Sequence, residues 1–471
     1  MQEPNWMSVL PPLLAIFLAI VTRQVIISLS IGIWIGFCLL EAVNPVSGLG
    51  LAIDGVINVF SDAGDTRVLV FTLIIGGLIG TIEKVGGVRG FIHLLENRQW
   101  VNNRQRAQWL AYLTGVVVFI ESNITLLVAG AISRPLFDRY RIAREKLAYI
   151  IDSTSAPICI LIPLNAWGAV VIGLLESSSV INPVDVFIAT IPLNLYPLTV
   201  LAVSAMVIWR NIDIGPMAKA QARTDKGELL WSNATPMVDP GILEEQDSVS
   251  SQDLARFMLV PIAVMVLAMP LGLYVTGNGV LSDGSGSTSV LWAVLAALGA
   301  AWGLALAHRR ANVEELMQLF LQGAGGLLPV AMILLFALAL GDVANLLGTG
   351  VYVAQVAQDS IPVPLMLPLL FLVSSFIAFS IGSRWGTFAI MIPLAMQIAL
   401  EMDLSPVLFL AAVLSGSVFG DHASPISDTT VVSSMASATD HIDHVRTQLP
   451  YALISAGIAT VGFFIVGIVA L

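Results

Sequence analysis

The chain has 471 residues, 57% of them hydrophobic and 11% charged, with a mean hydropathy of +0.88. A soluble domain averages about 25% charged residues, so the composition excludes an ordinary soluble enzyme and indicates a polytopic membrane protein. The net charge of −11 lies mainly in loops and gives no basis for nucleic-acid binding.

Apolar runs cover roughly 8–22, 24–41, 66–83, 183–209, 253–276, 288–307, 326–347 and 448–471, several of them near the 20 residues that span a bilayer. Residues 45–62 and 312–324 are shorter and amphipathic, which places them at the interface. Residues 211–252 are polar and acidic and read as a cytoplasmic loop rather than a domain. Cys38 and Cys159 lie in apolar runs, so neither a disulfide nor thiol chemistry is expected. The N-terminus lacks a basic n-region and a cleavage site, so no removable signal peptide is expected.

Lys and Arg set the orientation. The loop 84–106 carries Lys84, Arg89, Arg98, Arg104 and Arg106; the loop 134–146 carries Arg134, Arg139, Arg141, Arg144 and Lys146. Both read as cytoplasmic, so the apolar piece 107–133 leaves and re-enters the same face. About 26 helical residues measure about 39 Å, long for one crossing and right for two half-length arms. A re-entrant hairpin with Glu121, Ser122 and Asn123 at its tip follows; one tilted span is the alternative.

The second part repeats this plan with the flanks reversed. His308, Arg309 and Arg310 mark a cytoplasmic loop, whereas 361–403 is flanked by Asp342, Asp359, Glu401 and Asp403. It reads as a hairpin entering from outside, with Ser383, Arg384, Trp385 and Thr387 at its tip. Each hairpin precedes an interrupted span: about 146–175, with Pro157 as the break, and about 404–440, with Pro425 as the break. Gly80, Gly87 and Ser122 match Gly341, Gly348 and Ser383 at one constant offset. The fold class is therefore all-α with two inverted-topology repeats, 1–210 and 253–471, joined by the linker 211–252. Both termini are expected outside.

Broken helices at membrane depth persist only where they are buried or line a wet cavity, and such breaks hold substrate at the repeat interface. The expected ion or solute site gathers Glu121, Ser122, Asn123, Asp152, Ser153, Thr154, Ser155, Ser383, Arg384, Trp385, Thr387, Asp421, His422, Ser424, Ser427, Asp428 and Thr429. Sodium, a hard cation, fits oxygen ligands from Asp152, Asp421 and Asp428, and buried carboxylates also exchange protons. His422 reads as a proton relay or a structural histidine. His441 and His444, with Asp440 and Asp443, have metal-ligand spacing but read as a solvated or gating face. Arg384 needs a partner, either a carboxylate such as Glu121, Asp152 or Asp428, or a substrate carboxylate suited to its planar fork.

The stretches GDHASPISDTT (420–430), DHIDHVRTQLPYA (440–452), Ser133 to Trp167 and Trp385 to Pro393 resemble the NhaC-type sodium/proton antiporter family over roughly 65–470. The resemblance implies an ion-coupled secondary carrier of the bacterial inner membrane. Na+ and H+ would then be transported or coupling ions, with no bound cofactor. Two positions depart from the family pattern. Glu121-Ser122-Asn123 stands where members show Asp-Asp-aromatic, and Arg384 stands where they show a small hydroxyl residue. Sodium/proton antiport by alternating access is the leading expectation. Sodium- or proton-coupled carriage of a small amino acid or carboxylate, with Arg384 on the solute, is the alternative. An intramembrane aspartyl protease is disfavoured because Val418 replaces the first Gly of Gly-x-Gly-Asp, and a channel is disfavoured by the bulky tips. Expected partners are lipid, a small ion or solute and, by analogy, a second copy of the chain.

Overall fold

Capping residues and prolines set most helix boundaries in this all-α chain. The computed structural model describes residues 5–22, 24–41, 44–87, 90, 101–117, 119, 122–162, 165–236, 252–279 and 284–470. The helices are α1 (Leu10–Thr22), α2 (Val25–Leu40), α3 (Pro45–Asn58), α4 (Ala63–Lys84), α5 (Arg104–Val117), α6 (Ser122–Arg139), α7 (Arg144–Leu161), α8 (Ala166–Ser177), α9 (Pro183–Thr190), α10 (Leu195–Arg210) and α11 (Pro216–Asp225). There follow α12 (Arg256–Thr276), α13 (Gly286–Ala307), α14 (Val313–Leu346), α15 (Thr349–Ser360), α16 (Met366–Ile381), α17 (Arg384–Glu401), α18 (Pro406–Ala423), α19 (Asp428–Ala436) and α20 (His441–Ala470).

Eight helical stretches among the described residues are long and apolar enough to cross a membrane. They are Ala63–Lys84, Pro183–Arg210, Arg256–Thr276, Thr288–Ala307, Val313–Leu346, Val363–Ile381, Pro406–Ala423 and His441–Ala470. Leu267, Leu271, Ile468 and Val469 are among many large apolar side chains exposed on these helices. A hydrocarbon environment, not water, accommodates such a surface. The chain is a polytopic all-α membrane protein.

Three local expectations need correction. The runs 8–22 and 24–41 form helices of 13 and 16 residues, about 20 and 24 Å long and shorter than the bilayer core. The stretch 312–324 is no separate interfacial helix but the start of the 34-residue α14. Asn312 and Glu315 form a reciprocal capping box that starts this helix. At Gly323, α4 presses against this helix. A Cβ on Gly76 would meet the Gly323 carbonyl oxygen at 2.6 Å, and one on Gly80 would meet Gly323 Cα at 2.9 Å. Small residues that let two backbones approach hold membrane helices together.

Thirdly, Pro157 is not a break. It sits inside α7, which continues to Leu161. A proline removes one i→i−4 bond and bends a helix, yet neighbouring helices sustain it; α7 is buried from Arg144 to Pro157. The helix ends at Ile162, which is extended at φ −115° and ψ 111°, as a residue preceding a proline prefers. Asn165 then starts α8: its side-chain oxygen accepts from the amides of Trp167 (2.9 Å) and Gly168 (3.2 Å), and its Nδ2 donates to the Cys159 carbonyl (2.7 Å). The second interruption spans 424–427 and contains Pro425.

Residues 211–236 are more than a loop. Arg223 of α11 grips Glu145 with two bonds of 2.7 and 3.0 Å, both side chains buried. Lys146 pairs with Asp213 at 2.9 Å, and the Thr235 amide donates to Asp440. The segment thereby ties the start of α7 to the start of α20.

Candidate functional site

The hairpin-like pair α16 and α17 turns at Gly382, whose φ of +70° is left-handed and favours glycine. α18 packs closely on α16 because a Cβ on Gly416 or Gly420 would collide with the carbonyl oxygens of Phe371 or Ser375. That close seat brings Asp421, in the last turn of α18, level with the hairpin turn. Ser424 Oγ donates to the Phe379 carbonyl at 2.8 Å and fixes the interruption to the same turn.

Arg384, the first residue of α17, is the centre of this end and is only 1% exposed. Its Nη1 donates to Asp421 Oδ2 at 2.7 Å and to Asp428 Oδ1 at 3.1 Å, and its Nη2 donates to Ser122 Oγ at 3.1 Å. The guanidinium carbon lies 4.2 Å from the Trp167 ring centroid and 5.5 Å from that of Trp385. Cation–π attraction and charge pairing thus act on one group. Asp421 also accepts from Ser427 Oγ (2.9 Å) and Thr429 Oγ1 (3.3 Å). Asp421 is fully buried, whereas the Asp428 side chain is 51% exposed. The Arg384 centre therefore opens on the Asp428 side.

Asp152 belongs to a second centre. Its Oδ2 accepts from Gln448 Nε2 at 2.9 Å and lies 3.3 Å from His444 Nε2. Gln448 Nε2 also donates to the His422 carbonyl at 2.6 Å, and two acceptors on one atom identify it as the amide nitrogen. His422 Nε2 lies 3.3 Å from Ser153 Oγ, and His422 Nδ1 lies 2.6 Å from the Tyr196 hydroxyl. All of these side chains are buried. His441 Nε2 reaches the Pro425 carbonyl at 2.6 Å, tying α20 to the interruption.

Ser122, Arg384, Trp385, Asp421, Ser427, Asp428 and Thr429 thus meet at one centre, and Asp152, Ser153 and His422 at the other. Asp421 and Asp428 share Arg384 and Asp152 pairs elsewhere, so among the described contacts the three aspartates do not form the single cation shell expected from sequence. The reason is Arg384, whose charge lies between Asp421 and Asp428. Thr154, Thr387 and Ser424 direct their hydroxyls to backbone carbonyls. Ser155 is buried with no side-chain partner, and Ser383 makes no side-chain cap. Glu121 lies outside the described residues, as does the side chain of Asn123. His444 is fully buried on Asp152 and not on a solvated face. Sequence reasoning missed Gln448, Tyr196 and Trp167. Gln448 stands four residues after His444, on the same helix face, which was the available signal.

The Na+/H+ antiporter family matches residues 176–468. An uncharacterized protein of Haemophilus influenzae is 32% identical over 486 residues, covering 98% of this chain and 90% of the relative. Shorter matches include an arginine/ornithine antiporter of Halobacterium salinarum, 35% identical over 22% of this chain and 21% of the relative. A malate-2H(+)/Na(+)-lactate antiporter of Bacillus subtilis is 34% identical over 21% and 22%. Among solved structures, the Neisseria gonorrhoeae MtrF antimetabolite efflux pump superposes with a TM-score of 0.61 at 14% identity, over 89% of this chain and 84% of that one. The Alcanivorax borkumensis YdaH transporter gives 0.57 at 14%, over 89% and 88%. At that identity the two structures establish a shared fold alone. The family match over more than half the chain, and the full-length relative, establish that this bacterial multi-pass membrane protein belongs to the Na+/H+ antiporter family and is a transport protein, not an enzyme.

Proposed function

We propose that the chain is a proton-coupled antiporter of a small organic solute bearing a carboxylate, an amino acid or a carboxylic acid. One observation carries this reading: a permanent protein cation, Arg384, lies between Asp421 and Asp428 at 2.7 and 3.1 Å. A guanidinium keeps its proton at all physiological pH, so it neutralises the carboxylates that a sodium ion would need. Its planar fork is matched to a carboxylate, and the half-exposed Asp428 is the partner a solute displaces first. The partial matches to arginine/ornithine and malate/lactate antiporters support the same solute class. Sodium/proton exchange is the second reading, favoured by the family description and by a partial match, 32% identical over 104 residues, to an uncharacterized Na(+)/H(+) antiporter of Haemophilus influenzae. On that reading the resemblance to the NhaC type extends to activity, and Arg384 is a gate.

The architecture we infer has two inverted repeats. α5 to α8 have 14, 18, 18 and 12 residues, and α16 to α19 have 16, 18, 18 and 9. The near-equal lengths support a hairpin followed by an interrupted helix in each. Alternating access is then movement of these units against a scaffold built on α4, α12, α13 and α14, with both termini outside and a second copy docked on the scaffold.

The test is reconstitution in liposomes loaded with a pH dye, for wild type and Arg384→Thr. Arginine, ornithine, malate and lactate are each added, then sodium, potassium and lithium. Proton movement driven by an organic solute in wild type, with no response to the cations, is expected. Sodium-driven alkalinisation in wild type, with none of the organic solutes active, would overturn the solute reading in favour of sodium exchange.

A further inference from the structure

A carrier that couples to protons needs a group that can release one, and Arg384 cannot. Asp421 is committed to that guanidinium and to two hydroxyls. The second centre has the opposite character. Asp152 and His444 are fully buried, and each retains an unused polar atom. Asp152 Oδ1, His444 Nδ1, Gln448 Oε1 and Ser155 Oγ are all buried and lack a hydrogen-bond partner among the described residues. A purely structural network is expected to satisfy such atoms, because an unsatisfied buried polar group is costly.

We propose that His444 and Asp152 form the proton-binding site of the carrier, with His444 Nδ1 as the atom that takes the proton. This assignment rests on the proton-coupled reading above. His444 Nε2 faces both Asp152 Oδ2 (3.3 Å) and Ser433 Oγ (3.1 Å), so it carries the hydrogen in the neutral ring. Nδ1 then holds a free lone pair. Proton uptake there converts a buried carboxylate beside a neutral imidazole into a carboxylate–imidazolium pair with no net charge. An uncompensated charge at membrane depth is expensive, and the proton removes it. Release restores the charge and the cost, so occupancy biases which arrangement of the helices is stable. Three different helices meet at the pair: α7 supplies Asp152, α20 supplies His444 and Gln448, and α19 supplies Ser433.

Titratable groups facing the pair are His422 on α18 and Tyr196 on α10, with Tyr149 of α7 on the far side against Tyr196 and Tyr451. Nearer the start of α20, Asp440, Asp443 and Arg446 lie with Glu145 and Arg223 as a separate charged layer. Gln448 joins the two centres, since the amide that bonds Asp152 also bonds the carbonyl of His422, the residue after Asp421.

The test uses the full chain in lipid nanodiscs with 15N-labelled histidine. Only five histidines are present, His93, His308, His422, His441 and His444, and His444→Gln identifies the signals of His444. The expected result is that the His444 Nδ1 signal changes from that of an unprotonated to that of a protonated ring nitrogen as the buffer is acidified. That response is altered in Asp152→Asn, where the carboxylate that favours the charged ring is gone. Gln448→Met leaves both titratable groups in place and alters it as well, which covers failure of Asp152→Asn to fold. A wild-type Nδ1 signal that does not respond to pH, or a response indifferent to both substitutions, overturns the assignment. Titration of His444 in concert with Asp152 supports it even if no organic solute moves protons in liposomes, an outcome that overturns the solute reading alone.

Discussion

Arg384→Met tests whether the guanidinium is a structural cation of the Arg384 centre. Methionine keeps an unbranched side chain and removes the charge. Asp421 is fully buried and is left with only Ser427 and Thr429 as donors. Removing one partner of a buried ion pair costs about 3–5 kcal/mol, because the other charge remains buried. Asp428 contributes less, since its side chain is 51% exposed and water screens an exposed pair to under about 1 kcal/mol. The two ring contacts, at 4.2 and 5.5 Å, add about 0.5–2 kcal/mol. Double-mutant cycles separate these contributions. Arg384→Met with Asp421→Asn is expected to show a coupling of about 2–3 kcal/mol, so the double variant is more stable than Arg384→Met alone. The same cycle with Asp428→Asn is expected to stay under about 1 kcal/mol. The assay is unfolding of detergent-solubilised protein in graded SDS, followed by tryptophan fluorescence, to which Trp167 and Trp385 contribute directly from the guanidinium. Equal coupling to both aspartates, or none to Asp421, would refute the burial argument.

Other consequences are open to direct measurement. Arg223→Met strands the buried Glu145 carboxylate and is expected to cost about 3–5 kcal/mol; trypsin cleavage at Lys219 and Lys226 should accelerate, and unchanged digestion would count against the tie between 211–236 and α7. Asn165→Ala removes the cap of α8 and should cost about 0.5–2 kcal/mol in the same SDS titration, whereas Pro157→Ala, inside a continuous helix, should be neutral or stabilising. Gly76→Leu drives a side chain into the Gly323 backbone and should abolish recovery of monodisperse protein on size exclusion, while Gly299→Leu, at a position where a Cβ meets nothing within 4 Å among the described residues, should not.

Much of the fold is legible because membrane helices declare themselves by length and apolarity. The cost of a charge at membrane depth likewise marked Arg384 as a residue that must have a partner. What stayed hidden depends on contacts distant in sequence. Nothing around Asn312 reveals that α14 is continuous, because the packing of its Gly323 on Gly76 and Gly80 of α4 is distant in sequence. Pro157 looks disruptive in one dimension, yet the helix carries it to the extended Ile162, and the Asn165 cap starts the next helix. Asp152 and His444 are 292 residues apart, so their pairing has no local signature, and the spacing of His441 and His444 pointed instead to a surface cluster.

The two departures from the family pattern gain a common meaning from the geometry. Where the NhaC-type resemblance implies an acid pair this chain has Glu121-Ser122-Asn123, and Ser122 accepts from Arg384. The tip of one hairpin-like pair has become the hydrogen-bond acceptor for a cation on the other. A transported sodium ion must enter and leave; a tethered guanidinium can only shift between partners. The Arg384 centre therefore has a fixed charge that a solute carboxylate can address, and the guanidinium itself cannot cycle a proton. A proton-coupled cycle draws on ionisable groups other than that guanidinium. The Asp152 and His444 pair, one shared Gln448 amide away from residue 422, meets that requirement within the same bundle.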